Sequence, residues 1–175
     1  VVSKYKAGLG FRYLQDFIGD SILKKSFKEF YAKNQLKPTN SLQFKKIITS
    51  KTDKNLDWFF GDYISTDKKI DYKISKVVQK KDSFQITIKN KREMTAPVAL
   101  YGVKDKKIKF KKWITNIDSA KTITIPKNGY DKLALNYEQL YPEYNSLDNF
   151  RKTNNNLLNK PFQFRLYKDI GDPYY

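Results

Sequence analysis

The sequence contains no histidine and no cysteine, and these absences exclude several classes of active site within the chain. Without an imidazole or a thiolate there is no Ser-His-Asp or Cys-His catalysis and no His- or Cys-ligated zinc. No D-x-[DN]-x-[DN]-G run supports a calcium site built from carboxylates. We therefore expect this chain to bind no metal or other cofactor by itself. The sequence does not indicate whether the protein resides in an oxidising or a reducing compartment, because it has no cysteine to form disulfides or free thiols.

Long apolar runs and acidic residues are also scarce. No apolar run approaches the roughly 18 residues of a membrane-spanning helix. The 175 residues include 35 Lys and Arg against 18 Asp and Glu, which gives a formal charge of +17. The excess is +6 in residues 1–66, +10 in 67–138 and +1 in 139–175, so it is spread over the folded parts. With 39% hydrophobic and 15% aromatic residues, the chain can still build a core.

The basic charge suggests an anionic partner, but its composition favours a simpler interpretation. Of the 35 basic residues, 31 are Lys and only 4 are Arg. Arg is the residue that serves base readout and bidentate phosphate contacts, so nucleic acid is disfavoured as a partner. We interpret the lysines as a solvated surface. The alternative is a self-standing, lysine-rich binding module for nucleic acid or a membrane surface.

Apolar residues recur at helical spacing through residues 1–66, which predicts four short helices. The first ends at Gly19, and Asp20-Ser21 are the predicted N-caps of the second. Pro38 and Thr39-Asn40-Ser41 separate the second from the third, and the fourth begins near Asp53. Each predicted helix has a single apolar stripe, which must be buried against another part of the protein. The four stripes are Phe11, Leu14 and Ile18; Leu23, Phe27, Phe30 and Tyr31; Leu42, Phe44, Ile47 and Ile48; and Leu56, Trp58, Phe59, Phe60, Tyr63 and Ile64.

From about residue 67 the apolar period changes from 3.6 to 2, which predicts short antiparallel strands. The alternating segments are 70–74, 84–88, 98–103, 108–110, 123–125 and 133–135, and turn signals lie at Lys80-Lys81-Asp82, Asp105-Lys106 and Asn128-Gly129. We expect an α+β fold, with an N-terminal helical region (1–66) followed by an antiparallel β-sandwich (67–138).

Residues 139–175 differ from both regions and are interpreted as a linker or docking tail. Leu147–Leu158 is compatible with a short polar helix, and the alternation of Phe162, Phe164 and Leu166 predicts a final strand. Tyr137, Tyr141 and Tyr144 surround Pro142. They form either an exposed platform for sugar or peptide, or a set of anchors that hold the tail on the sandwich.

No residue pattern identifies an active site. Glu29, Asp57, Asp62 and Glu138 form no recognisable carboxylate pair of the glycosidase kind. Gly8-Leu9-Gly10 lacks the third glycine, the preceding strand and the Lys-Ser/Thr ending of a phosphate loop. Trp58-Phe59-Phe60 and Trp113 fit core packing.

Four short motifs in residues 4–64 resemble, in the same order, the end of the catalytic domain of gluzincin aminopeptidases of the membrane alanyl aminopeptidase type. Phe11-Arg12-Tyr13-Leu14 with Ile18-Gly19 resembles the L-R-x-L helix and its stop, and Phe27-Lys28-Glu29-Phe30-Tyr31 resembles the F-x-x-Y helix. Thr39–Phe44 resembles the T-x-x-d-F helix start and Asn55–Phe60 the d-L-x-w-F-f segment. A β-sandwich follows this segment in the family as well.

The resemblance implies that the zinc ligands, H-E-x-x-H and a later Glu, belong to a part of the parent protein N-terminal to these motifs. The family's oxyanion-binding Tyr precedes the Lys matched by Lys6 by two positions, where this chain has Lys4. Either the register slips by one and Tyr5 is the candidate oxyanion-stabilising residue, with Lys6 as its motif neighbour, or the site has lost that group. No other residue is assigned a catalytic role.

The segments 135–151 and 160–173 resemble large cell-envelope proteins of gliding-type bacteria, in which a gluzincin-like region precedes an outer-membrane barrel-like region. This implies a bacterial cell envelope location, on the periplasmic or outer-membrane side, with membrane contact through the parent.

Together the resemblances predict a non-catalytic C-terminal fragment of a zinc-dependent aminopeptidase-like protein. Its partner is the rest of the parent chain, and peptide is the parent's substrate. A third possibility is a parent that has lost its zinc ligands. An excised fragment is expected to expose apolar side chains on residues 1–66.

Overall fold

The computed structural model describes residues 4–153, with side chains from Lys6 onward. Helices come first and antiparallel strands follow in two sheets, which confirms the predicted α+β class. The helical elements are α1 (Lys4–Ile18), α2 (Asp20–Asn34), α3 (Ser41–Thr49) and a π-helix (Trp58–Tyr63). The strands are β1 (Tyr72–Gln79), β2 (Ser83–Asn90), β3 (Val98–Lys104), β4 (Lys107–Ile114), β5 (Ala120–Pro126), β6 (Lys132–Leu135) and β7 (Phe150–Lys152). In this part of the chain, no helix has the length and apolar character needed to cross a bilayer.

The helix boundaries follow local chemistry, with one departure from prediction. Gly19 has φ 102°, a conformation that glycine adopts at little cost, and it occupies the N-cap of α2. The prediction that Asp20 and Ser21 cap this helix is therefore wrong. Asp20 is instead the first helical residue, and its carboxylate lies 2.6 Å from the Lys24 ammonium one turn later.

The start of α3 is fixed by a reciprocal capping box. The Asn40 side chain accepts a hydrogen bond from the Gln43 N–H, and the Gln43 side chain accepts one from the Asn40 N–H, both at 3.0 Å. Leu42 is 65% exposed, so its predicted burial is wrong. Two residues of helix turn the chain by about 200°, which places Leu42 almost opposite the buried Phe44.

The predicted fourth helix is a π-helix that begins at Trp58 rather than near Asp53. Its widened turn is marked by the hydrogen bond from the Ile64 N–H to the Phe59 oxygen, at 3.0 Å. This geometry buries Trp58, Phe59 and Tyr63 together. The prediction that Trp58 and Phe59 pack in the core is therefore confirmed.

The strands form one three-stranded sheet, in the order β1-β2-β5, and one four-stranded sheet, in the order β4-β3-β6-β7. All neighbours are antiparallel. Asp105 and Lys106 form the β3–β4 turn with φ of 50° and 61°, values that suit a two-residue hairpin turn. Gly129 has φ 65° in the third predicted turn.

The segment after β6 returns to the sheet as a strand. Phe150–Lys152 pairs with β6, and the Leu135 N–H donates to the Asn149 oxygen at 2.7 Å. The predicted helix over Leu147–Leu158 is therefore wrong where the structure describes it, because backbone groups of β6 pair with this segment. The predicted strand at Phe162, Phe164 and Leu166 lies outside the described residues.

One apolar core joins the helices to both sheets. Tyr13 of α1 is fully buried, and its hydroxyl donates a hydrogen bond to the Pro97 oxygen just before β3. The Tyr13 ring centroid lies 4.6 Å from that of Trp58 and 5.7 Å from that of Trp113. The helical region and the sheets are therefore packed on each other through α1.

Candidate functional site

Tyr5 and Lys6 both lie in the first turn of α1. The Lys6 ammonium donates a hydrogen bond to the Thr66 oxygen at 2.8 Å and lies 5.5 Å from the Tyr63 ring centroid. The Tyr63 hydroxyl in turn donates to the Lys6 oxygen at 3.4 Å. Lys6 thus ties the start of α1 to the end of the helical region. The side chain of Tyr5 is outside the described part, so its role stays a prediction.

The Gly8-Leu9-Gly10 run is helical and belongs to α1. A Cβ atom added to Gly10 would lie 2.5 Å from Cε1 of Tyr63, whereas one added to Gly8 would meet nothing within 4 Å. Gly10 is therefore needed for the close approach of α1 to the π-helix.

The four carboxylates singled out in the sequence each have a lysine partner. Hydrogen bonds from Lys33 and Lys51 hold the pKa of Glu29 down, to about 2. The other pairs are Asp57 with Lys45 at 2.7 Å, Asp62 with Lys68 at 2.6 Å, and Glu138 with Lys111 at 2.5 Å. These contacts give the carboxylates a structural role.

Lys111 of β4 connects the sheet to α1. Its ammonium lies 2.6 Å from the Asp16 carboxylate and 2.5 Å from that of Glu138, which also accepts a hydrogen bond from the Tyr101 hydroxyl at 2.8 Å. Burial opposes the charge of Lys111, but the two carboxylates outweigh it and raise its pKa. The network fixes α1 against the four-stranded sheet.

The three tyrosines around Pro142 do not form a shared exposed platform. Tyr141 is buried, with its ring centroid 4.4 Å from that of Tyr13, and it anchors the segment to the core. Tyr144 is 67% exposed, and the guanidinium carbon of Arg92 lies 4.1 Å from the centroid of the Tyr144 ring.

Glu143 is a partly buried acidic residue that sequence reasoning missed. Its oxygens accept hydrogen bonds from the Tyr72 N–H and the Asn136 amide, both at 3.2 Å, and from the Asn149 amide. Burial raises its pKa to about 7, although these three donors oppose the shift. The only sequence signal is a lone Glu between two tyrosines.

A cavity of about 480 Å³ lies between the helical region and the loops that flank β3 and β4. Phe17, Trp58 and Pro97 contribute apolar walls, and Asp53 adds a carboxylate. The Trp58 Nε1–H is buried without an acceptor among residues 4–153. The lining of this cavity is therefore partly apolar and partly polar.

The β3–β4 hairpin carries a concentration of exposed lysines. Lys104, Lys106, Lys107 and Lys109 are all exposed. None of the four takes part in an ion pair recorded between described residues. With the single carboxylate of Asp105 among them, they make this hairpin the basic end of the four-stranded sheet.

Metal-binding geometry is absent from the part of the chain that the structure describes. No group of three or more Asp or Glu side chains is arranged to hold an ion there. Together with the lack of His and Cys in the full sequence, this means that the residues present do not fit a zinc centre.

Comparison with known proteins identifies a similarity of fold. No protein-family model matches the chain, and no curated protein is similar to it in sequence. Among solved structures, aminopeptidase A of Legionella pneumophila, in complex with aspartic acid, is similar with a TM-score of 0.60 and 14% sequence identity. The similarity covers 75% of this chain and only 16% of the aminopeptidase chain. The chain therefore has the fold of a small part of an aminopeptidase.

Proposed function

We propose that this chain is the non-catalytic C-terminal part of a zinc-dependent aminopeptidase-like protein of the gluzincin type. The observation that carries the proposal is the fold similarity to part of an aminopeptidase, at a TM-score of 0.60. The order of the four motifs in residues 4–64 agrees with it. In this role the chain is a scaffold beside the zinc domain and a wall of the access route for peptide.

Zinc belongs, in this proposal, to a preceding domain of the parent. The residues of this chain do not fit the metal, so no catalytic step is assigned to them beyond the candidate role of Tyr5. We place the parent in a bacterial cell envelope, on the periplasmic or outer-membrane side, on the resemblance of residues 135–151 and 160–173.

Exposed apolar side chains on the helical region support the presence of a neighbouring domain. Tyr31 is 72% exposed and Leu42 65%, and Phe27 and Leu36 are exposed as well. All four lie on α2, on α3 or on the segment that joins them. The preceding peptidase domain is the partner that the proposal assigns to this surface.

The proposal can be tested on the native protein with aminoacyl-coumarin substrates and zinc analysis. We expect about one zinc per polypeptide, activity that chelators abolish, and a loss of about 100-fold or more in kcat for Tyr5→Phe, as for removal of one oxyanion donor. The matched control is Tyr144→Phe, an exposed tyrosine far along the chain from the helical region. Zinc-dependent activity with an unchanged kcat for Tyr5→Phe would remove Tyr5 from the site, and a native protein without zinc or activity would contradict the function.

A second candidate function rests on the exposed lysines of the β3–β4 hairpin. In this alternative, the hairpin binds an anionic partner. A variant with Lys104, Lys106, Lys107 and Lys109 changed to Gln would then elute from heparin at much lower salt than the wild type. The matched control changes Lys25, Lys28, Lys37 and Lys46, which are also exposed, and lowers the net charge equally. If both variants elute at equally reduced salt, retention depends only on the net charge of the chain, and this alternative is contradicted.

A further inference from the structure

Strand β5 has one edge without a partner strand in the part of the chain that the structure describes. It is the last strand of the three-stranded sheet, and β2 lies on its other side. The register with β2 runs from Ser83 opposite Pro126 to Lys89 opposite Ala120 without a shift, so β5 is regular over its seven residues. A regular strand at the end of a sheet presents a row of backbone N–H and C=O groups to a further strand.

Hydrogen bonds at the two ends of β5 show which of its backbone groups are used by β2. At one end, the Lys127 N–H donates to the Asp82 oxygen at 3.0 Å. At the other end, the Asn90 N–H donates to the Ser119 oxygen at 2.8 Å. Both pairs continue the β2–β5 register. Because bonded and non-bonded pairs alternate along an antiparallel ladder, the odd-numbered residues of β5 bond to β2.

The even-numbered residues of β5 therefore direct their backbone groups away from β2. Ala120, Thr122 and Thr124 contribute outward N–H groups, whereas Pro126 contributes only a carbonyl. All four residues are exposed. We call this row of outward backbone groups the open edge of β5. It offers donors and acceptors in line until the proline ends the series of donors.

The other terminal strands of the two sheets carry features that hinder pairing. β4 contains four lysines, and its register with β3 shifts between Gly102 and Val103. β1 has a shift between Ile74 and Lys76, and the Ile74 N–H already donates to the Asp148 oxygen at 3.3 Å. β7 is only three residues long. Lysines, prolines, bulges and short length commonly protect sheet edges, and residues 122–125 of β5 have none of these protections.

A strand added to β5 would also cover apolar surface. Ile123 lies opposite the fully buried Ile86 and therefore faces the same side of the sheet. Ile123 packs against the core but stays partly exposed at the edge, whereas Ile125 is 2% exposed. Apolar side chains at alternate positions of an added strand would complete the cover of Ile123.

Charge favours an acidic strand over a second copy of this chain. The three strands of this sheet contain no Asp or Glu, and their four lysines are Lys73, Lys76, Lys89 and Lys121. None of the four takes part in an ion pair recorded between described residues. A second copy would bring lysines against lysines, and each chain has a formal charge of +17. Carboxylates would instead be attracted to this sheet.

We propose that the open edge of β5 binds an extended acidic segment of a partner protein, which adds a fourth strand to the three-stranded sheet. The backbone of the segment pairs with the outward groups of β5, and its apolar side chains cover Ile123. Its carboxylates lie on the opposite face, where Lys89 is next to the small side chain of Ala120. In strand addition of this kind, main-chain hydrogen bonds supply affinity and the alternating side chains supply specificity.

The test is an NMR titration of the 175-residue chain with a peptide as long as β5 in which glutamate alternates with valine. We expect saturable shifts in β5 and slower hydrogen exchange at the amides of Ala120, Thr122 and Thr124. One control peptide has the same side chains on an N-methylated backbone, which keeps the charge and removes the donors, and a second has lysine in place of glutamate. Equal binding of either control, or no binding of the glutamate peptide, would overturn the proposal.

The same exchange measurement without peptide separates the other occupants of the edge. Protection of the Thr122 and Thr124 amides that increases with protein concentration would assign the edge to a second copy. Protection that is present at every concentration would assign it to another part of this chain. Either result would contradict the proposal, which predicts fast exchange of these two amides in the peptide-free chain.

A proline substitution locates the interaction. Thr124→Pro removes one outward N–H and no hydrogen bond to β2, so we expect a folded protein with about tenfold lower affinity for the glutamate peptide. The matched control, Thr124→Val, keeps the N–H and should bind as the wild type does. Unchanged affinity of folded Thr124→Pro would contradict the assigned edge. Should this variant not fold, the N-methylated peptide tests the same hydrogen bonds from the peptide side.

Discussion

The partly buried carboxyl of Glu143 is expected to make the folded protein less stable as the pH rises toward neutrality. Burial raises its pKa from 4.5 to about 7 in the folded state. Between these two values the folded state keeps the proton while the unfolded state releases it. The folded state then binds more protons than the unfolded state, so the free energy of unfolding decreases with increasing pH.

The size of the effect follows from the two pKa values. One pKa unit corresponds to about 1.4 kcal/mol, so a change from 4.5 to about 7 costs about 3 kcal/mol when the carboxyl is fully ionised. The loss begins near pH 4.5 and is complete somewhat above pH 7. Because the chain has no His and no Cys, few other side chains titrate in this interval.

Urea unfolding of the wild type and Glu143→Gln at pH 5, 6, 7 and 8 measures this term. Glutamine cannot ionise, so the stability of the wild type relative to the variant should fall by about 2.5 kcal/mol between pH 5 and pH 8. Asp82→Asn, which changes an exposed carboxylate, should run parallel to the wild type. A difference between wild type and Glu143→Gln that does not change with pH would refute the reasoning.

Two further predictions compare matched positions by thermal or urea unfolding. Gly10→Ala should destabilise the fold by about 1–3 kcal/mol, because its Cβ would lie 2.5 Å from the Tyr63 ring, whereas Gly8→Ala should be neutral or stabilising; equal effects would contradict the close packing. Ile48→Ala should cost about 2–5 kcal/mol because Ile48 is fully buried, whereas Leu42→Ala should stay within about 0.5 kcal/mol. A large cost at Leu42 would show that its side chain is covered.

The change from helices to strands could be predicted from the spacing of the apolar residues. A period of 3.6 residues places them on one face of a helix, and a period of 2 places them on one face of a strand. Ile86 and Ile88, which alternate with polar residues, are both fully buried in β2. The π-helix could not be predicted, since three consecutive aromatics fit several periods equally well. The strand β7 was missed because backbone pairing with β6 determines it, while its side-chain pattern is weak.

The candidate site was less predictable than the fold. The contacts of Lys6 with Tyr63 and Thr66 join residues that are about 60 positions apart. Glu143 depends on one such contact, because Tyr72 is 71 positions away, whereas Asn136 and Asn149 are only 7 and 6 positions away. No local motif marks such a carboxyl, because its burial arises from tertiary packing.

The most direct test of the proposed function is to determine the sequence of the native polypeptide by mass spectrometry of the protein isolated from its source. The proposal predicts that this chain is preceded by a region with H-E-x-x-H and a later Glu, and that the purified protein holds zinc. A native polypeptide that begins near Val1 and holds no zinc would contradict it, and the lysine-rich binding module would then be the better account.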